Sequence, residues 1–389
     1  MNQLLEGVRV LDLSNVLAGP FCGYQLALIG ADVIKVESPD GGDLARQLGA
    51  DTELNAAHMG TSFLAQNANK RSVVVDLKSA AGRETFLALV RQSDVVLENF
   101  RPGVMARLGL GHEVLRREHP GLVYCAISGF GQDGPLAKAP AYDQIIQGRS
   151  GVMSITGGAE SAPLRVGYPV CDTLGGLMAA FAISSALVRR ARTNEGAFID
   201  VSMLDSTLAA MGWIVSNLLI AGQEPVPMGN ENFTASPSGT FATGRGLLNI
   251  AANKQEQFEA LCDIVGAPQL KSDERFAQRE SRKRHRQALR EALEEHLQAD
   301  DAATWEARLN QAGVPAGQVL SVAEALAQPQ VAERGLVAQV PLPVNGRGHV
   351  SLTASAFLVD GERGKPNRVP PRLGEHTVEV LQELCLTTP

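Results

Sequence analysis

Short β-branched runs alternate with helical segments from Val8 to about Gly222, and this alternation constrains the fold more than any other feature of the chain. The runs at 8–13, 33–36, 72–76, 95–97 and 122–127 have the length and apolar content of buried strands. Between and after them, helical spacing of apolar positions predicts helices over 21–29, 82–92, 172–190 and 203–221. Strands joined by helical crossovers lie parallel, so the expected class is α/β with a parallel sheet. After Gly222 the texture changes to a Pro- and Gly-rich passage, 223–246, then to shorter charged helices near 256–265, 283–297 and 302–311. The expected division is a large domain over 1–222, a smaller one over 223–322, and a tail, 323–389, that returns to the large domain. Within that tail, 336–342 reads as strand and 377–384 as helix.

The string Gly167-Tyr168-Pro169-Val170-Cys171-Asp172-Thr173-Leu174-Gly175-Gly176 places one carboxylate where an extended segment meets a helix rich in small residues. Unpaired N–H groups and the positive dipole end at such a place favour an ionised, fixed carboxylate, which makes Asp172 a candidate nucleophile. Asp is also a favoured N-cap, with Leu174, Leu177, Met178, Phe181 and Ile183 then forming the buried face of the helix. Both readings are open from this window.

A formal charge of −7 argues against general nucleic-acid binding and leaves room for a local basic pocket. The run 275–290 mixes seven arginines and lysines with nearby glutamates and reads as a solvated helix face. Five scattered cysteines without a C-x-x-C pair fit free thiols in a cytoplasmic protein, with neither disulfides nor zinc. Cys171, with apolar flanks, reads as packing. The first residues lack the pattern of a secretory signal, and the longest apolar stretch, 175–188, is too short to span a bilayer. The histidines show no metal spacing and no G-x-S-x-G elbow occurs, so no metal site is expected.

Gly129-Phe130-Gly131-Gln132-Asp133-Gly134 formally matches a dinucleotide fingerprint, but Pro135 follows it and it sits after the fifth strand rather than the first. It reads instead as a rigid loop bordering a site. The turn after the first strand, Ser14 to Pro20, is small-residue-rich and lets a ligand approach the backbone. Lys70, Arg71 and Lys78 flank a later strand, as a phosphorylated nucleotide would require, and a solvated loop is the other reading. Glu98-Asn99-Phe100-Arg101-Pro102-Gly103, with Arg107 one turn on, adds an amide, an aromatic face and cations at the next strand's carboxyl end.

Taken in order, Val8–Leu13, Leu17-Ala18-Gly19-Pro20, Gly30–Glu37, Asn69–Ser72, Asp76-Leu77-Lys78, Glu98–Gly103, Ser128–Gly131, Asp172 and Met228-Gly229-Asn230 resemble the family III coenzyme A transferases. The group includes formyl-CoA and carnitine CoA-transferases and the 2-methylacyl-CoA racemases. The resemblance implies a Rossmann-like large domain, a small inserted α+β domain and a homodimer of interlocked chains. It implies Asp172 as the catalytic carboxylate and Val16, Ala18, Lys78, Asn99, Phe100 and Arg107 as the CoA site, with Arg71, Lys35 and Lys70 more loosely included. Acyl-CoA and a small carboxylic acid would be the substrates, with no tightly bound cofactor. Backbone N–H groups of the loop 228–239 are assigned as oxyanion donors.

A racemase resembles the same strings, but that branch has a His where Tyr142 stands, and a phenol is a poor base at neutral pH. Asp143 is read as orienting Asp172 or the substrate, or else as a cap. A non-catalytic acyl-CoA-binding subunit and a dehydrogenase are further alternatives. Leu17 and the string Asn230-Glu231-Asn232-Phe233-Thr234 depart from the oxalate-using branch, which weighs against oxalate or formate. The resemblance suggests succinyl-CoA as donor and a C4–C5 dicarboxylate such as itaconate, citramalate, mesaconate or glutarate as acceptor. Arg165 could pair with the acceptor's second carboxylate, and a surface role is its alternative.

Overall fold

The computed structural model describes residues 3–344 and 346–385. The chain divides into one unit of Met1–Val152, Arg165–Glu224 and Pro329–Pro389, and a second of Met153–Leu164 and Pro225–Gln328. The expected three-part division lacked the excursion at 153–164, whose residues cluster with the second unit.

The first unit is built on a parallel sheet of β1 (Arg9–Asp12), β2 (Asp32–Glu37), β3 (Lys70–Val74), β4 (Val95–Glu98), β5 (Val123–Ser128) and β6 (Ala197–Ser202). Their order is β3-β2-β1-β4-β5-β6, each neighbour parallel. Successive residues of a strand face opposite sides. Val10, Val33, Val95, Val123 and Ile127 therefore enter the core under the helices Ala18–Leu28 and Val170–Thr193. Leu11, Ile34, Val96 and Tyr124 enter the other core, beneath Ala80–Arg91 and the C-terminal helix Thr377–Glu383. With both faces covered, each strand reads as a nearly unbroken apolar run, which is why the sequence showed them. The sixth strand escaped notice because Phe198 is exposed and Asp200 interrupts its run.

The long helix Val170–Thr193 has 24 residues, and its length and composition would suffice to cross a bilayer, contrary to the expectation from the shorter stretch 175–188. It packs along the helix Ala18–Leu28 and over β5 and β6. Gly176 permits the first of these contacts, since a Cβ there would lie 2.5 Å from the carbonyl oxygen of Ala18. The expected helix 203–221 is two, Met203–Ala210 and Gly212–Ala221, bent by 75°. In the tail, Val337–Val344 pairs antiparallel with Arg347–Thr353.

The second unit carries β7 (Ser238–Ala242), β8 (Leu247–Ala251) and β9 (Ala316–Gln318) as an antiparallel sheet. The helices Gln255–Ile264, Arg286–Leu297 and Ala302–Gln311 close an apolar core that includes Phe241, Ile250, Phe258, Leu293 and Trp305. The charged run 275–290 is not wholly a solvated face. Arg282 is buried, donates to the carbonyls of Ser236 and Phe276, and lies over the Phe258 ring.

Candidate active site

The order in which strands are added reverses between β1 and β4, and in open α/β sheets ligands bind at the carboxyl ends of strands at such a point. A crevice of about 270 Å³ lies there, lined by Val16, Ala18, Asn99, Phe100, Tyr142 and Asp172 among others. Its floor is the carboxyl ends of β4 and β5, reached through Asn99 and Ile127 to Gly129. The turn after β1 and the loop after β4 are joined across it. Asn15 donates its N–H to Asn99 Oδ1 at 2.8 Å, and Asn99 Nδ2 donates to the Asn15 carbonyl at 2.8 Å.

Asp172 does not cap its helix, as the sequence suggested it could. The helix begins at Val170 with Pro169 at the N-cap, so Asp172 sits within the first turn, at the third helical position. The capping is done from elsewhere by Asp143, whose Oδ1 accepts the N–H groups of Cys171 at 2.9 Å and Asp172 at 3.4 Å. Asp143 is itself held by Gln147 Nε2 at 2.7 Å and meets Arg165 Nη2 at 3.4 Å. It thus satisfies the N–H groups at the start of the helix from the neighbouring segment. Proximity of two carboxylates has a second effect. Burial, and then the neighbouring charge of Asp143, push the Asp172 carboxyl up to about 7, against the expectation that the helix terminus would hold it fully ionised. Cys171 is no rival, because burial pushes its thiol up to about 11.

The expected CoA-site residues fall into three groups. Val16, Ala18, Asn99 and Phe100 line the crevice with Asp172. Lys78 and Arg107 are exposed beyond the carboxyl ends of β3 and β4, Lys78 standing 3.4 Å from Asp40, and neither lines the crevice. Arg71, Lys70 and Lys35 are structural. Arg71 is buried near the opposite, amino edge of the sheet and binds Asp32, Glu379 and Glu383. Lys70 pairs with Asp12 at 2.8 Å and Lys35 with Asp43 at 2.9 Å, all four side chains fully enclosed. Their donors are spent on buried carboxylates and cannot also receive a phosphate.

Glu98 went unremarked in sequence beyond its motif. It is buried under the loop it begins, accepting the Phe100 N–H at 2.7 Å and the Tyr124 hydroxyl at 3.2 Å, and burial pushes it up to about 7. Asp43 was missed altogether. In the loop 228–239 of the second unit, the N–H groups of Gly229, Glu231, Asn232 and Thr234 already donate within that unit, which removes them as oxyanion donors. Among the described residues, no three His, Cys, Asp or Glu side chains are grouped as a metal ion would require.

Comparison with known proteins gives a consistent result. The model of CoA-transferase family III matches residues 5–377. The chain is 39% identical to a succinate–glutarate CoA-transferase from Agrobacterium fabrum, over 98% of this chain and 95% of that one. It is 41% identical to an acetyl-CoA:oxalate CoA-transferase from Acetobacter aceti, again over 98% and 95%. The crystal structure of a CAIB/BAIF family protein from Brucella suis superposes with a TM-score of 0.86 at 35% identity, covering 99% of this chain and 100% of that one.

Proposed function

The chain belongs to CoA-transferase family III, and on that premise we propose that it moves coenzyme A from succinyl-CoA to a small dicarboxylic acid, with Asp172 as the nucleophile. The observation that carries the assignment is Asp172 itself, in a crevice at the sheet's reversal point with its pKa raised to about 7. A carboxylate so perturbed is still substantially ionised at neutral pH, and more nucleophilic than an ordinary one.

An Asp172 carboxylate oxygen attacks the thioester carbonyl, the C–S bond breaks, and a mixed anhydride and CoA thiolate result. The thiolate attacks Cγ of Asp172, releasing the donor acid and leaving an aspartyl thioester. The acceptor carboxylate attacks that thioester to regenerate an anhydride and thiolate, and the thiolate then takes the acceptor's acyl carbon, freeing Asp172. No net proton is consumed, and each step exchanges groups of similar energy. In this reading Val16, Ala18, Asn99 and Phe100 contact the pantetheine end of CoA, while exposed Lys78 and Arg107 serve its phosphates. Arg165, half-exposed beside Asp143, takes the acceptor's second carboxylate.

The succinate–glutarate relative supports a C4–C5 acceptor, for which glutarate, itaconate, mesaconate and citramalate are the candidates. The similarity to an oxalate enzyme, despite Leu17 and the string at 230–234, supports oxalate as a second reading. Both are dicarboxylates. The reading includes an interlocked homodimer, supported by the exposed Phe181, Trp213, Leu219 and Ile220 of the first unit. It also includes a cytoplasmic location, supported by the free, buried Cys22, Cys125, Cys171 and Cys262.

The test mixes the protein and Asp172→Ala with succinyl-CoA and these acids, alongside monocarboxylates, and follows acyl-CoA masses. New dicarboxyl-CoA products absent from the mutant are expected. Activity on monocarboxylates alone would overturn the acceptor class, and α-proton exchange on a branched acyl-CoA without transfer would favour a racemase. Failure to form any CoA adduct or product would favour a binding subunit.

A further inference from the structure

Val16 has φ +68°, in the left-handed region, where a β-branched residue is an outlier. Such a conformation persists only where surrounding groups impose it. Here the imposing groups can be named one by one. Asp12 Oδ1 accepts the Ser14 N–H at 2.9 Å, and Lys35 Nζ donates to the Ser14 carbonyl at 2.8 Å. Asn99 takes both the N–H and the carbonyl of Asn15. Asp43 Oδ1 accepts the N–H of Val16 at 2.9 Å and that of Ala45 at 2.9 Å, while Asp43 Oδ2 pairs with Lys35 at 2.9 Å. Asp12, Lys35 and Asp43 are no more than 1% exposed. Burial raises the Asp43 carboxyl, but the charge of Lys35 and these hydrogen bonds hold it below the usual carboxylate range.

We infer that Asp43, braced by Lys35, is a positioning residue that holds Val16 in its left-handed conformation and so presets the wall of the crevice for coenzyme A. The inference rests on the reading of that crevice as the CoA site. An enclosed ion pair is an expensive way to stabilise a fold, because both charges lose their water. Here it fixes the one backbone conformation that an isolated Val would abandon, and a preset wall spares the ligand the cost of ordering it. Asp43 need not touch the ligand to do this.

The experiment measures binding of free CoA by calorimetry, KM and kcat for acyl-CoA exchange, and thermal unfolding, in wild type, Asp43→Asn, Val16→Gly and the double variant. Glycine reaches φ near +68° without strain, so it should release the turn from its dependence on Asp43. Asp43→Asn sets an amide NH2 against the Lys35 ammonium, and the flip that relieves this clash takes the acceptor away from the Val16 N–H. It is expected to weaken CoA binding by about tenfold or more, as the competent turn loses population, with kcat changed far less than KM. In the Val16→Gly background the same substitution should cost about threefold or less. A purely structural Asp43 would lower the unfolding temperature with affinity held within about twofold of wild type, or would cost as much in the glycine background, and either result overturns the inference. Should Asp43→Asn not fold, Asp43→Glu, which keeps the charge but lengthens the reach to the Val16 N–H, carries the same comparison. A wild type that exchanges CoA between acids while these variants bind it normally overturns the inference alone. A wild type that neither binds CoA nor transfers it overturns the inference and the reading of the site together.

Discussion

On the wall that β1 and β2 contribute, each buried acid meets a cation: Asp12 meets Lys70, Asp43 meets Lys35, and Glu37 meets Arg46. On the wall that the long helix contributes, Asp172 faces another carboxylate, Asp143, whose own cation, Arg165, is half-exposed and 3.4 Å away. Burial by itself raises the carboxyls of Asp12, Glu37, Asp43 and Asp172 alike. On the first wall the cations more than reverse it, and Asp12, Glu37 and Asp43 all lie below the usual range. On the second wall the neighbour adds to it, and Asp172 reaches about 7. Partner charge, not burial, separates groups that hold a shape from a group that can react.

The contrast is broken most completely at its reactive pole. Asp172→Asn should lower kcat/KM for CoA transfer by about 1,000-fold or more, since covalent exchange has no substitute nucleophile. The same change should raise the thermal midpoint at pH 8. A carboxyl whose folded pKa exceeds its unfolded value costs stability above the unfolded pKa, most fully above the folded one, and the amide removes that cost. Unchanged transfer would refute the role, and a lowered midpoint at pH 8 would refute the strain. At the opposite pole, Lys35→Met leaves Asp43 enclosed without its cation and should cost about 3–5 kcal/mol, read from the urea midpoint at constant slope. A loss below about 1 kcal/mol would place this pair with exposed salt bridges.

Arg165 tests whether the second wall also reads substrate. Arg165→Gln should raise KM for dicarboxylate acceptors by roughly 10- to 100-fold, the worth of a hydrogen bond between charged groups, and leave monocarboxylates nearly unaffected. Its contact with Asp143 is partly exposed, so stability should change by about 1 kcal/mol or less. Equal losses with both acceptor types would assign Arg165 to Asp143 alone.

How much of this the sequence disclosed depended on distance along the chain. Runs such as Val95–Leu97 and Leu122–Ile127 showed the strands because a sheet covered on both faces needs local apolar density, and they match β4 and β5 to within a residue. Asp172 stood out because a carboxylate entering a small-residue helix is a local pattern. Strand order and the sixth strand did not show, since neighbours in a sheet are set by crossovers rather than by composition. Lys70 read as a ligand cation because its acid, Asp12, lies 58 positions away. A lysine string looks the same whether it awaits a phosphate or is already paired. Asp143 is 29 positions from Asp172, so neither its capping nor its electrostatic push was visible at the helix.

The smallest expected effect is the sharpest probe of why the two walls differ. If Asp172 is the nucleophile proposed above, it must lose its proton to attack in the free enzyme, and kcat/KM, which reports the free enzyme, should rise with pH through about 7. Asp143→Asn keeps an oxygen to accept the Cys171 and Asp172 N–H groups, so the helix start stays in place while the like charge goes. Gln147 Nε2 then faces an amide in place of a carboxylate oxygen, which lowers stability without moving Asp172's titration. The ascending limb should shift to lower pH, making the variant relatively more active below pH 7. The limb should still stop short of the ordinary value of 3.8, because burial is the larger of the two causes and remains. A profile from pH 5 to 8.5 decides it. A limb that does not move would mean that burial alone raises Asp172, and the second wall would then differ from the first by lacking a cation rather than by containing a second acid.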